Sequence, residues 1–223
     1  MTFKDFIQEP ISAKIGSILR RCLGDDATRS INQHFYDLFG WDFTGWENRE
    51  SPDMKKVCTI HRYQQMYPEC TIFVETGTYF GATSESVADL FKNVFTIEID
   101  GWLFKHASQR LKSKHTVFCI KGDSSRILPT LLCLIHEPVI YWLDAHCSGG
   151  VTSKGETDTP IERELAIIFK HRYASRSVIL IDDAREFGAG DYPSLDTIRK
   201  ISSDMFDMAV IDDIIRLVPK GVD

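Results

Sequence analysis

Thr71-Ile72-Phe73-Val74-Glu75-Thr76-Gly77-Thr78-Tyr79-Phe80-Gly81 is the stretch whose reading decides the fold. Its first four residues form a short, continuous apolar run, the pattern of a parallel strand buried on both faces. An acid leaves the strand at Glu75, Gly77 permits a tight turn, and Gly81 lets the next helix pack close to the sheet. Glycines at such a turn also let a ligand approach the backbone. Taken alone, the same residues equally describe a plain strand-to-helix turn.

Downstream the alternation repeats. A helix is expected over 83–92, a strand over 94–99, a helix over about 102–112 and a third strand over 116–120. A helix over 124–135 follows, with Pro129 marking a kink or a boundary. Further strands are expected over 139–143 and 178–181, with helices over 160–170 and near 194–202. Residues 208–211 and 214–218 flank Asp212-Asp213 and read as a closing hairpin. Five β-α units and a hairpin predict an α/β fold: a Rossmann-like, doubly wound sheet, mostly parallel, with an antiparallel C-terminal edge. Ligands in such sheets lie beyond the carboxyl ends of the strands.

Upstream, residues 1–69 read as a mainly helical extension before a principal domain over 70–223. Ile7, Ile11, Ile15, Ile18 and Leu19 recur at helical spacing, and Phe39 to Trp46 suit a packed aromatic loop. A short helix is expected over 60–67, ending before Pro68.

The 223 residues carry a net charge of −6, with 43% hydrophobic and 26% charged residues. That is ordinary for a globular domain, and it argues against a surface that tracks nucleic acid. No apolar run is long enough to span a bilayer, and the acidic start MTFKDFIQEP does not read as a secretory signal. Cys22, Cys58, Cys70, Cys119, Cys133 and Cys147 form no CxxC pair and are expected to be reduced thiols of a cytoplasmic protein. An oligomer is left open.

The strand ends carry the chemistry. Glu98 lies 23 residues after Glu75, at the end of the second strand, where an acid is placed to accept both hydroxyls of a ribose. Its bland alternative is a solvated strand-end acid. Asp123, in Lys121-Gly122-Asp123-Ser124, either caps the next helix or accepts a hydrogen bond from an adenine amino group. Both hold if Asp123 faces the cleft and Ser124 caps.

Glu75-x-Gly77-x-x-x-Gly81, then Glu98, then Gly122-Asp123-Ser124, in this order and spacing, resembles the cofactor half of class I S-adenosylmethionine-dependent methyltransferases. The resemblance covers about residues 70–218. It departs at Tyr79, where many members carry a further glycine. It implies the class I methyltransferase fold and S-adenosylmethionine as cofactor. Glu75 and Gly77 would lie near the methionine part, Glu98 at the ribose and Asp123 at the adenine. Thr78, Gly81, Ser124 and Asp144 would complete that site. A NAD-type oxidoreductase is the rival, but it prefers a G-x-G-x-x-G turn, which this loop lacks.

The fourth strand ends in Leu143-Asp144-Ala145-His146, and residues i and i+2 of a strand share a face, so Asp144 and His146 point together into the cleft. The fifth ends in Ile181-Asp182-Asp183-Ala184-Arg185. With those strands adjacent, Asp144, Asp182 and Asp183 converge. Clustered carboxylates must protonate or gain a cation, and a hard divalent ion such as Mg2+ is one solution. Adjacent Asp182 and Asp183 would face opposite ways in a regular strand, so joint ligation needs the strand to end or bend there. In the alternative, one aspartate caps the next element and another pairs with Arg185 or Lys154.

The arrangement resembles metal-dependent O-methyltransferases that act on sugar hydroxyls, which implies a small-molecule or glycan acceptor. His146, two residues past Asp144, is the candidate base, with a structural histidine as the alternative. The polar loop over 148–159 is a candidate lid, and Tyr192 a candidate for packing on an acceptor ring. Three rivals remain: a metal-independent methyltransferase, a non-catalytic cofactor-binding subunit, and the oxidoreductase.

Overall fold

The computed structural model describes residues 53–144 and 160–221. The helical pattern before residue 53, His146, Cys147 and the 148–159 loop lie outside these residues. The elements are α1 (Met54–Met66), β1 (Ile72–Thr76), α2 (Ala82–Val87), β2 (Asn93–Glu98), α3 (Gly101–Leu111), β3 (Val117–Lys121), α4 (Ser124–Leu134), β4 (Val139–Leu143), α5 (Ile161–Ile168), β5 (Val178–Ile181), α6 (Leu195–Ser202), β6 (Phe206–Ile211) and β7 (Ile214–Pro219). Seven strands form one sheet in the order β3-β2-β1-β4-β5-β7-β6. The first five run parallel, while β7 is antiparallel to β5 and to β6. The expected fold class is therefore observed, including the antiparallel C-terminal hairpin.

Alternation along the central strands divides their side chains between two cores. Val74, Tyr141 and Ile179 pack with Leu128 of α4, Leu165 of α5 and Ile198 of α6. Phe73, Ile140 and Leu180 pack with Ile60 and Tyr63 of α1 and Val87 of α2. Every residue of β1, β4 and β5 is buried, the signature of strands covered on both faces.

Local chemistry sets the boundaries. α1 starts at Met54, six residues before the helix expected at residue 60, because the Asp53 carboxylate accepts from the Lys55 amide at 2.8 Å. This helix packs on the sheet and belongs to the same compact unit as the strands. α2 ends at Val87 and passes into a 3-10 turn over Ala88–Leu90, so it is shorter than the expected 83–92 helix. Pro129 lies inside α4 and marks no boundary. The closing turn has Asp212 at φ 57 and Asp213 at φ 66. Two successive positive φ values match the right-handed twist of a two-residue hairpin, and aspartate tolerates them better than most side chains.

Gly81 enters α2 at φ 79, and a Cβ there would meet Leu111 Cδ1 at 3.1 Å and Ala107 of α3 at 3.5 Å. The glycine therefore admits a close approach between two helices, rather than between helix and sheet. Gly81→Ala should destabilise the chain by about 1–2 kcal/mol, from the left-handed backbone cost plus displacement of Leu111. Urea denaturation of both proteins checks this, and equal midpoints would remove the constraint.

Candidate active site

The carboxyl ends of β1, β4 and β5 lie side by side. Past the strands proper, the Asp144 amide donates to the Thr76 carbonyl at 3.0 Å, and the Asp182 amide donates to the Leu143 carbonyl at 3.0 Å. These two bonds carry the parallel pairing one residue further and set Asp144 beside Asp182. Asp183 then adopts φ 54, ψ 48. That left-handed step ends the alternation that would have turned Asp183 to the opposite face. Asp144, Asp182 and Asp183 each present a carboxylate oxygen within 4.8 Å of the others.

The charge in this cluster is already partly answered. Lys56, in the first turn of α1, sends its Nζ to Asp144 Oδ2 at 2.8 Å and into contact with Asp182 Oδ2. The ammonium also lies 5.7 Å from the Trp142 ring centroid. Burial alone would push the Lys56 ammonium down, but Asp144 and Asp182 beside it hold it above the ordinary lysine range. Asp182 is itself pushed up to about 6, by burial first and then by the Asp144 charge, with one ammonium shared between two carboxylates. Asp183 pairs with Arg185 Nη2 at 2.8 Å, as the bland alternative anticipated. Arg185 also bonds Asp213 in the hairpin turn, through its side chain and through its amide at 2.8 Å.

The donor set fits a hard divalent cation: three carboxylates converging from two strand ends. Lys56 would have to yield.

Glu75, Gly77, Thr78, Gly81 and Glu98 lie at the ends of β1 and β2. Gly77 turns at φ 81 and donates its amide to the Ile97 carbonyl at 3.0 Å. Glu75 is buried, and its Oε2 accepts from Ser84 and from Thr96, each at 2.6 Å. Burial pushes its carboxyl up to about 7 against those two hydroxyls. The Thr78 and Thr96 hydroxyls bond at 2.6 Å.

Glu98 at the tip of β2 is not a solvated acid. Its residue is 3% exposed, Oε2 accepts the Tyr79 amide at 2.8 Å and Oε1 the Asp100 amide at 2.8 Å. Burial raises it to about 7. The Ile99 amide also bonds this carboxylate, so backbone amides take up most but not all of its acceptor positions. Tyr79 sits at φ 53, the conformation a glycine takes freely.

Asp123 caps α4: its Oδ1 accepts from the Ser125 amide at 2.9 Å and the Ser125 hydroxyl at 2.7 Å. Of the two caps the sequence offered, Asp123 is therefore the one used, and Ser124 is not. Ser124 is the first residue of the helix, buried, and lies beside a group the sequence did not single out. That group is Glu164, in the first turn of α5 and fully buried. Neither of its oxygens has a hydrogen bond of ordinary geometry. Burial pushes it up to about 7, opposed by the nearby Ser124 and Thr76 hydroxyls. Lys56 was missed as well. Ser51-Pro52-Asp53 before Met54-Lys55-Lys56 is a helix-start signal that could have placed it on a helix facing the sheet.

No family model matches the chain, and no curated protein matches it. Solved structures do share its fold. The O-methyltransferase TomG from Streptomyces achromogenes, involved in tomaymycin synthesis and in complex with SAM, is 17% identical at TM-score 0.54, covering 96% of this chain and 100% of that one. The SAH-bound Podospora anserina methyltransferase PaMTH1 is 14% identical at TM-score 0.52, covering 96% and 97%. The 23S rRNA methyltransferase ErmE is 14% identical at TM-score 0.51, covering 77% and 70%. The fold is that of class I S-adenosylmethionine-dependent methyltransferases. Because an rRNA methyltransferase shares it, the fold does not exclude a nucleic-acid acceptor. Among the described residues, no helix is long and apolar enough to cross a membrane, and Cys58, Cys70, Cys119 and Cys133 carry free thiols.

The raised Glu164 carboxyl has a consequence for stability. The folded chain holds this proton more tightly than the unfolded chain. The contribution is complete below about 4.5, is lost as pH rises toward about 7, and is flat above. Against Glu164→Gln, which does not titrate, the wild type should lose about 3 kcal/mol between pH 4.5 and 8. Urea denaturation at several pH values measures the difference, and parallel profiles would rule out a raised carboxyl.

Proposed function

We propose that this chain is an S-adenosylmethionine-dependent O-methyltransferase that acts on a hydroxyl of a sugar or glycan, with a divalent cation held by Asp144, Asp182 and Asp183. The observation that carries the reading is the convergence of those three carboxylates at the ends of β4 and β5, beside the glycine turn and Glu98 at the ends of β1 and β2. TomG, an O-methyltransferase in complex with SAM, supports the cofactor and the reaction class. The net charge of −6 favours a small-molecule or glycan acceptor over RNA. The free thiols agree with a cytoplasmic setting.

The chain's own residues divide the work. Glu98 receives the ribose hydroxyls on its remaining lone pairs, and Gly77 lets the cofactor lie against the backbone. Glu75, Thr78, Gly81, Asp123 and Ser124 shape the loops that hold it, and Asp144 bounds it on the acceptor side. A divalent cation at the three aspartates would supply positive charge that lowers the pKa of an acceptor hydroxyl. His146, two residues past Asp144, takes the proton. Alignment of the acceptor oxygen with the methyl group accounts for much of the rate. A second reading, a metal-independent methyltransferase, is favoured by Lys56, which already provides a positive charge at the same carboxylates.

Three measurements test this. Glu98→Ala should weaken S-adenosylmethionine binding by about 1.5–3 kcal/mol in calorimetric titration, and unchanged affinity would remove the ribose assignment. A screen of sugars and glycans for S-adenosylhomocysteine release, with EDTA and with Mg2+ or Mn2+, separates the two readings. Turnover should vanish in EDTA and in Asp183→Asn while the cofactor still binds, and full activity in EDTA selects the metal-independent reading. His146→Ala should keep its metal requirement and lose roughly 10²–10⁴ in turnover, partly recovered at higher pH.

A further inference from the structure

We propose that Lys56 is a tethered counter-cation that occupies the acidic site until a divalent ion displaces it, so that the chain sets its own threshold for metal loading. The inference rests on the metal reading above and adds a residue that reading does not contain. The Lys56 Nζ is 2.8 Å from Asp144 Oδ2 and touches Asp182 Oδ2, so it stands in the space between the two carboxylates that an ion would bridge. The ligand oxygens of Asp144, Asp182 and Asp183 lie within 4.8 Å of one another, which leaves room for one cation. An ion at about 2.1 Å from each oxygen and an ammonium at about 2.8 Å cannot both be seated there.

The tether is suited to withdrawal. Lys56 sits in the first turn of α1, which the apolar contacts of Ile60 and Tyr63 hold against the sheet. Its place on the helix therefore does not depend on the ion pairs. Its side chain is unbranched and 23% exposed, against 7% for the Asp182 side chain, so the ammonium can move toward water while the carboxylates stay. Without an ion, Lys56 balances charge that the site could otherwise hold only by protonation.

The same geometry makes the site selective for charge. A monovalent cation that expelled Lys56 would replace one positive charge by another and gain little. A divalent ion adds a net charge, and that surplus drives the exchange.

The test is a calorimetric titration of Mn2+ into EDTA-stripped, dialysed protein, with melting temperatures in EDTA and in Mn2+. Lys56→Met should bind Mn2+ roughly 10- to 100-fold more tightly than wild type, because no resident charge must be expelled. Its melting temperature in EDTA should fall by several degrees, and Mn2+ should restore it. Lys55→Met removes the same charge at the adjacent, exposed residue. Its affinity should stay within about threefold of wild type, which separates occupancy from long-range charge. If Lys56→Met does not fold, Lys56→Gln should show the same tightening. Equal or weaker Mn2+ affinity in the Lys56 variants, or equal tightening in Lys55→Met, overturns the inference and leaves the metal reading standing. Absence of Mn2+ binding from every variant overturns both, while a parallel S-adenosylmethionine titration reports separately on the methyltransferase reading.

Discussion

Parallel strands in register deliver their ends to one line, and here that line is crowded with acids. Two backbone bonds, from the Asp144 amide to Thr76 and from the Asp182 amide to Leu143, align the tips of β1, β4 and β5. Nothing in the sheet's hydrogen bonding asks for carboxylates at those tips. The alignment nonetheless forces any that are present to share a small, half-dry volume, where each raises the cost of ionising the next. The left-handed turn at Asp183 adds a third carboxylate to that volume, and Lys56 and Arg185 answer the charge.

The other half of the cleft meets burial differently. Glu75 and Glu98 are both buried and both pushed up to about 7, yet each is held by short bonds: hydroxyls for Glu75, backbone amides for Glu98. Glu98 in particular ties the β1–α2 loop to the start of α3, through Tyr79 and Asp100. One side chain thereby fixes the two loops against each other. A site organised this way is stiff before any ligand arrives, which reduces the ordering a ligand must impose.

The sheet was legible in the sequence because fully buried strands leave a local record. Ile72–Val74, Val139–Leu143 and Val178–Ile181 are short apolar runs; β4 and β5 end where their runs stop, while β1 continues through the buried Glu75 and Thr76. The acids at those ends were legible for the same reason. What the sequence concealed depends on contacts between distant segments. Lys56 meets Asp144 across 88 residues, and no local pattern announces that meeting. Glu164 reads as an ordinary acid in the first turn of a helix, favourable there on dipole grounds, and its burial is decided by α4 packing against α5. The capping role of Asp123 was among the sequence's alternatives, and its choice over Ser124 rests on which side chain precedes the first helical turn.

The hairpin's place in the sheet bears on how the chain is made. β7 is synthesised after the other six strands of this sheet, yet it lies inside the sheet, between β5 and β6. Until it emerges, the fully apolar strand β5 presents an open edge with unpaired backbone groups, a template for association with other chains. The turn that follows β5 is also incomplete until then, because the Ala184 amide and Arg185 bond to Asp213. Vectorial synthesis therefore leaves the contacts from Ala184 and Arg185 to Asp213, beside the acidic centre, unmade until the hairpin turn has emerged. A nascent chain must shield β5 over the roughly 30 residues that separate it from its partner, the interval in which recruitment of a chaperone would matter most.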